Sequence, residues 1–282
     1  MKTLKTLINL MILLVALNGN IFAQDSTAVT VDNRPVKSPF ATSVLIDCQT
    51  VVSPYKGSLN LFINHRFGSM ENGISDIFGI YGGANTRLGL EYGITDRIMI
   101  GIGTTQDYKL QDLEWKYAIL QQTRSNSMPI GLSYYGNVVI DARSEDNFGP
   151  EESYKFIHRM SYFTQIIVSR KFSNVFSFQV APEFAYYNGV DQSMDNVNFG
   201  ASFGGRAKVW GEKSIIVEYD LPFTKHEAFD PKPNLGIGFE IGSATHAFQI
   251  FVSNYHDIVY QRNLVYNENS KFQIGFNITV RF

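Results

Sequence analysis

The sequence predicts an all-β protein: a closed antiparallel up-and-down transmembrane β-barrel of about twelve strands, preceded by a signal peptide. Three observations predict the barrel. Apolar and polar residues alternate with period two along most of the chain, which sorts them onto opposite faces of strands. The alternating runs reach about ten residues or more, the length that crosses a bilayer at a tilt. Many water-soluble strands have only about five or six. The connections alternate between short and long, as in barrels with short periplasmic turns and long outer loops. A soluble β-sandwich also alternates, so strand length and turn asymmetry decide.

The first element is an address label. Lys2 and Lys5 form a positive start, Leu7 to Leu17 an apolar run, and Asn18-Gly19-Asn20 a polar break before Ile21-Phe22-Ala23. This reads as a secretory signal peptide over residues 1–23, cut after Ala23. The apolar run is about half the ~20 residues that a spanning helix needs. No cysteine follows the cut, which argues against a lipid anchor. Leu45-Ile46-Asp47-Cys48 lies far from the apolar run, with Asp47 where a lipobox has a small residue.

Residues 24–56 form a leader. Asp25 to Pro39 is polar, and Thr42 to Val52 has β character. A thirteenth wall strand would break the even parity that leaves both chain ends in the periplasm. The leader is therefore expected in the periplasm or folded into the lumen, with Pro54-Tyr55-Lys56-Gly57 as the turn into the first wall strand.

Residues 57–282 are the barrel. Strands are expected near 57–67, 85–93, 97–108, 111–122, 129–141, 157–171, 175–187, 197–211, 214–223, 234–243, 246–254 and 271–282. Tight turns fall at Ile94-Thr95-Asp96, Ser173-Asn174, Gly211-Glu212-Lys213 and Ala244-Thr245, with a somewhat longer one at Arg124 to Met128. Long polar connections cover 68–84, 142–156, 188–196, 224–233 and 255–270, and the link near Lys109-Leu110 is the exception to the alternation. The last strand shows the pattern best. Phe272, Ile274, Phe276, Ile278, Val280 and Phe282 share one face, opposite Gln273, Gly275, Asn277, Thr279 and Arg281. In lipid the apolar faces point outward, and Phe67, Tyr92, Phe172, Tyr187, Tyr255 and Phe282 near strand ends are expected in interfacial girdles.

The C-terminus adds a second signal. Gln273, Gly275, Ile278, Val280 and the final Phe282 have the spacing of the β-signal read by the barrel assembly machinery. That machinery and outer-membrane lipid are the partners expected from the fold.

A family resemblance rests on the run Gly82-Gly83-Ala84-Asn85-Thr86-Arg87-Leu88-Gly89-Leu90-Glu91-Tyr92-Gly93-Ile94-Thr95-Asp96-Arg97-Ile98-Met99-Ile100-Gly101-Ile102-Gly103. His65-Arg66-Phe67-Gly68, Arg170-Lys171-Phe172 and the segment Phe272 to Ile278 accompany it. These resemble an uncharacterised outer-membrane β-barrel family of Bacteroidetes, domain of unknown function 5777. The resemblance spans roughly residues 35–282. It implies the outer membrane of a Gram-negative bacterium and carries over no catalytic residue.

Composition removes other classes. Charged residues are 18% of the chain, below the roughly 25% of an average soluble domain. The net charge is −2 with no basic run, so nucleic acid is not an expected partner. A single cysteine, Cys48, excludes an internal disulfide, a Cys-rich zinc site and a redox pair, and is expected as an incidental buried thiol. The histidines lack metal-ligand spacing, and Gly101-Ile102-Gly103 lies in a strand rather than a phosphate loop. No metal, cofactor or enzyme activity is expected.

Register places Arg66, Arg87, Glu91, Arg97, Lys116, Glu183, Arg206, Lys208, Glu218, Asp220, Glu240 and Arg281 toward the lumen. Both signs occur, and Arg87, Glu91 and Arg97 on neighbouring strands are expected to pair. Such a lining suits either a structural charge network or selection of a small polar solute. Twelve strands lie between side-chain-filled small barrels and open porins, which suggests a narrow or partly plugged pore. The leading expectation is a narrow passive channel or transporter. The alternative is a non-conducting structural or loop-binding barrel that displays Tyr255, His256, Tyr260, Arg262 and Tyr266. An outer-membrane hydrolase would need a set such as Ser161, His158 and Glu152, for which no spacing argues.

Overall fold

The alternating runs do form strands. The computed structural model describes residues 31–268 and 270–282, so the expected signal peptide lies outside the described residues. Within the unit Asn33–Phe282, a small hairpin of β1 (Val44–Leu45) and β2 (Cys48–Gln49) precedes the wall. The wall strands are β3 (Leu59–Ser69), β4 (Asn85–Gly93), β5 (Ile98–Thr105), β6 (Leu110–Leu120), β7 (Gly131–Asp141) and β8 (Met160–Lys171). They continue as β9 (Phe176–Tyr187), β10 (Val197–Trp210), β11 (Lys213–Pro222), β12 (Asn234–Gly242), β13 (His246–Ser253) and β14 (Gln273–Arg281). Each pairs antiparallel with the next, and β14 closes on β3 with Asn277 opposite Asn64 and Ile278 opposite Ile63. The fold is the closed twelve-stranded antiparallel barrel that the sequence predicts. Closure has a physical cause: an open edge in hydrocarbon would leave each N–H and C=O unpaired at several kcal/mol apiece.

The two faces separate cleanly. Leu88 and Leu90 of β4, Ile98, Ile100 and Ile102 of β5, and Ile237, Phe239 and Ile241 of β12 stand exposed on the outside. Asn85, Arg87 and Glu91, then Asp112, Glu114 and Lys116, then Ser133 and Asn137 are buried inside. A skin of large apolar side chains over a polar interior inverts the order of a soluble protein and calls for lipid. Among the described residues no helix is long and apolar enough to cross a membrane; the strands do so.

The rims are unequal. One carries the tight turns between β4 and β5, β8 and β9, β10 and β11, and β12 and β13. The other carries the long connections and one short exception, the turn at Asp107–Lys109, where Tyr108 and Lys109 take positive φ.

Two pieces of chain fill the lumen. From the short-turn rim, Pro35 bridges Thr123, and the chain then turns inward so that Phe40 and Thr42–Thr50 are buried. The hairpin reverses at Ile46-Asp47, with Ile46 at φ 53, a left-handed conformation that a β-branched residue rarely takes. The chain leaves at the same rim, where the Gly57 N–H donates to the Gly93 carbonyl. From the long-loop rim, helix α1 (Tyr260–Tyr266) descends between β13 and β14. Phe40, Leu45, Ile46 and Cys48 pack on Ile216, Phe251 and Tyr255. Leu264 and Val265 of α1 pack on Tyr135, Phe163, Ile167 and Tyr187.

Two girdle expectations fail. Tyr92, Phe172 and Phe282 are exposed, but Tyr187 and Tyr255 are buried inside. Tyr187 has the same parity as inward-facing Ala181 and Ala185. Tyr255 lies just past β13, where the loop folds back into the lumen and its hydroxyl donates to Glu218 at 2.8 Å.

Candidate functional site

The candidate site is the lumen itself, where wall side chains grip the two inserts. Glu218 of β11 accepts the Asp47 and Cys48 backbone N–H groups at 2.8 and 2.6 Å, and these two donors cap the hairpin tip on its carboxylate. Arg66 of β3 is fully buried. Its Nη2 meets Asp47 Oδ1 at 2.7 Å, its Nη1 donates to Asn277 Oδ1 at 3.1 Å, and its guanidinium lies 4.4 Å from the Phe251 ring centroid. Asn277 in turn donates to the Ile46 carbonyl at 2.6 Å. Burial pushes the Asp47 carboxyl up, to about 6, and the Arg66 guanidinium opposes that rise. Nearer the short-turn rim, Lys116 Nζ donates to the Val52 carbonyl at 2.7 Å and the Ser43 hydroxyl donates to Glu91 at 2.6 Å. Gln249 donates to both Val44 O and Glu240.

One wall network does not touch the hairpin. Arg87 makes a two-point contact with Asp112, Nε to Oδ2 at 3.0 Å and Nη2 to Oδ1 at 2.6 Å, and reaches Glu114 at 3.3 Å. The Tyr135 hydroxyl donates to Glu114 at 2.7 Å. This corrects the expected pairing of Arg87, Glu91 and Arg97. Between β4 and β6 two of the inward positions of β5 are glycines, Gly101 and Gly103, and a Cβ at Gly103 would crowd the Arg87 guanidinium and Asp112. The missing side chains let Arg87 reach across β5.

The other lumen candidates divide by depth. Arg66, Arg87, Glu91, Lys116, Glu183, Glu218, Asp220 and Glu240 are buried inside. Arg206 pairs with Glu240 at 2.7 Å. Lys208 pairs with Glu212 near the short-turn rim, and Arg281 there donates to the Ser243 and Ala41 carbonyls. Arg97 is the exception: it keeps inward parity but precedes β5, is exposed, and donates to the Ile119 carbonyl. Asp112 and Glu114 were missed, although they share the parity of Lys116 in one strand. Along β14, Gln273 and Gly275 face inward and Ile278 and Val280 outward. Gly275 lies under the Phe251 ring, which a Cβ there would strike.

The inserts also meet each other. Gln49 donates to the Tyr260 hydroxyl at 2.9 Å, and Asn263 donates to Asp47 at 3.4 Å. Tyr260 stacks on Phe163 at 5.4 Å, and Gln261 donates to Asn137 and Ser161. Ser161 is therefore engaged inside the barrel, while His158 Nδ1 accepts from the Lys155 backbone. Neither contact links them as nucleophile and base.

Beyond α1 the lumen opens toward the long loops as a vestibule of about 800 Å³. Arg143, Arg159 and Arg262 line it with Tyr108, Phe148 and Tyr266. The Arg262 guanidinium lies 3.6 Å from the Tyr108 ring centroid, and Arg159 stands over Phe148 at 4.8 Å.

The sequence profile of the Membrane bound beta barrel domain (DUF5777) matches residues 40–282. The chain belongs to this family. The matched span begins at Phe40, so the family domain includes the lumen hairpin as well as the wall. Among solved structures, the KdgM porin aligns at TM-score 0.48 and 7% identity, over 80% of this chain and 99% of that one. The COG4313 outer membrane channel from Pseudomonas putida F1 aligns at TM-score 0.48 and 11% identity, over 82% of this chain and 97% of that one. A porin from Rhodopseudomonas blastica aligns at 0.34 and 9%, over 70% and 55%. No curated protein matches the sequence.

Proposed function

We propose that the protein is a non-enzymatic outer-membrane barrel of a Gram-negative bacterium, of the Bacteroidetes by its sequence resemblance. In this reading it passes a small polar solute through a lumen that its own inserts close. The C-terminal signal would deliver it to the barrel assembly machinery. The observation that carries the reading is the polar attachment of the hairpin. Glu218, Arg66, Lys116 and Gln249 hold it by hydrogen bonds and charge. Water can replace such contacts when the hairpin moves, and the wall then exposed is mostly polar, with one apolar patch at Ile216 and Phe251, which suits the path of a polar solute. The vestibule supports the same reading. Its arginines are paired with acids, Arg143 with Asp141 and Arg262 with Asp257, and this mixed charge among aromatic rings favours a neutral polar solute with hydroxyl groups and a flat face.

Planar-bilayer recording tests this. The wild type should show rare openings, and the double variant Asp47→Ala/Lys116→Ala, which cuts two wall anchors, should conduct far more often. Silence from both, with heat-modifiable gel mobility showing folded barrels, would instead support a closed barrel that works through its outer loops.

A further inference from the structure

The two inserts are tethered at opposite rims. Both ends of the hairpin segment reach the short-turn rim, where Pro35 bridges Thr123 and the Gly57 N–H donates to the Gly93 carbonyl. Helix α1 lies between β13 and β14, so both of its ends reach the long-loop rim. Each insert can therefore retract only toward its own rim. They meet inside the lumen, through Gln49 and Tyr260 and through Asp47 and Asn263. A path through the barrel thus has two obstacles in series.

α1 is a weak element by itself. It has seven residues and no side-chain cap at Val259, and a helix that short keeps its form only through tertiary contacts. Outside the lumen those contacts converge on the β5–β6 turn. The Arg262 guanidinium lies 3.6 Å from the Tyr108 ring centroid, and its Nε donates to Asp257 at 3.0 Å. His256, in the loop before α1, reaches Asp107 of the same turn at 3.3 Å. Tyr108 has φ 58, a left-handed backbone that is uncommon for an aromatic residue. Strain of this kind persists where its surroundings hold it, and it collects at clamps and switch regions. Here the strained residue is the one that Arg262 covers.

We propose that α1 is a second gate in series with the hairpin, that it opens outward through the long-loop rim, and that Arg262 on Tyr108 is its latch. The gate rests on the reading of the barrel as a solute path. Its movement has a built-in reporter. The Cys48 thiol is buried beside an enclosed space of about 10 Å³ that Tyr260, Asn263 and Leu264 of α1 also line. Withdrawal of α1 uncovers the thiol while the hairpin stays seated. Departure of the hairpin would instead also break its own backbone bonds, from Thr50 N–H to the Ser43 carbonyl and from Asp47 and Cys48 N–H to Glu218.

The test treats the full chain, folded in detergent, with N-ethylmaleimide and follows amide exchange of residues 43–50 in the same samples. Arg262→Ala and Tyr108→Asn each remove the latch, and asparagine accepts the positive φ at position 108. Each should raise the rate of Cys48 labelling about tenfold, the scale of a desolvated cation–π contact, with exchange of the hairpin amides unchanged. Labelling no faster than wild type in both variants, with heat-modifiable mobility showing folded barrels, overturns the proposal. So does labelling that rises only in step with hairpin exchange, because the hairpin is then what moves. Neither readout needs conduction, so silent bilayers would count against the solute path alone.

Discussion

Arg66 of the wall and Asp47 of the lumen hairpin meet at 2.7 Å with side chains 0% and 4% exposed. This pair ties a segment that precedes the barrel to the strand where the barrel closes, since β3 is the partner of β14. Removing one partner of a buried pair leaves an uncompensated charge, at a cost of about 3–5 kcal/mol. Asp47→Asn and Arg66→Met should each destabilise the folded barrel on that scale in urea titrations. The double variant Arg66→Met/Asp47→Asn should cost clearly less than the sum. Strict additivity would show that the two charges do not depend on each other.

Orientation in lipid gives a second prediction. Ile250 sits mid-strand on the outer face, between Phe239 of β12 and Phe276 of β14, and is exposed. Ile250→Arg should cost about 2–4 kcal/mol near the bilayer midplane, and Val175→Arg in the β8–β9 turn about 0–1. Refolding equilibria in lipid vesicles report both. Equal costs at the two sites would mean that Ile250 does not face hydrocarbon.

These faces were legible because a barrel wall turns a period of two directly into inside and outside. A run such as Phe272 to Phe282 fixes its own register. The lumen was less legible, because its contacts join residues far apart in sequence. Nothing local tells that Glu218 caps residues 47 and 48, or that Arg87 reaches β6 because Gly103 lacks a side chain. Parity alone also misplaced Arg97, since a residue of inward parity faces the lumen only while the strand lasts. Tyr255 failed for the complementary reason: an aromatic at a strand end marks an interface only if the loop beyond it stays outside. The depth to which α1 descends was not encoded in any periodicity.

The rim contact at Gly93 is a backbone-to-backbone approach. The Gly93 N–H donates to Ser58 O and its carbonyl accepts from Gly57. A Cβ there would overlap the Tyr55 carbonyl and lie 2.7 Å from the Pro54 carbonyl oxygen. Because backbone cannot rotate away as a side chain can, Gly93→Ala should displace the exit of the hairpin from the rim. Limited proteolysis around residues 50–57 should accelerate in Gly93→Ala and remain unchanged in Gly205→Ala, where a Cβ meets nothing. Equal protection in both variants would sink the idea.

His256 gives a pH-dependent contact at the opposite rim. Its Nε2 lies 3.3 Å from Asp107 Oδ2 and its Nδ1 is 2.9 Å from Gln273 Oε1. The loop before α1 is thus joined to the β5–β6 turn and to the start of β14. The hydrogen bond to Asp107 raises the imidazole above its ordinary value, with Gln273 and the charges of Asp107 and Asp257 adding to it and partial burial opposing. A folded-state value above the unfolded one means that the imidazolium stabilises this contact. The stabilisation is fully present below the unfolded value of about 6.5. It is lost as pH rises through the raised folded value, where the neutral ring can donate from only one nitrogen. Amide exchange in residues 254–268 should therefore be slower at about pH 6 than at about pH 9, beyond the intrinsic base-catalysed difference. His256→Gln should remove that excess. A His256 resonance titrating at or below the ordinary value would contradict the assignment.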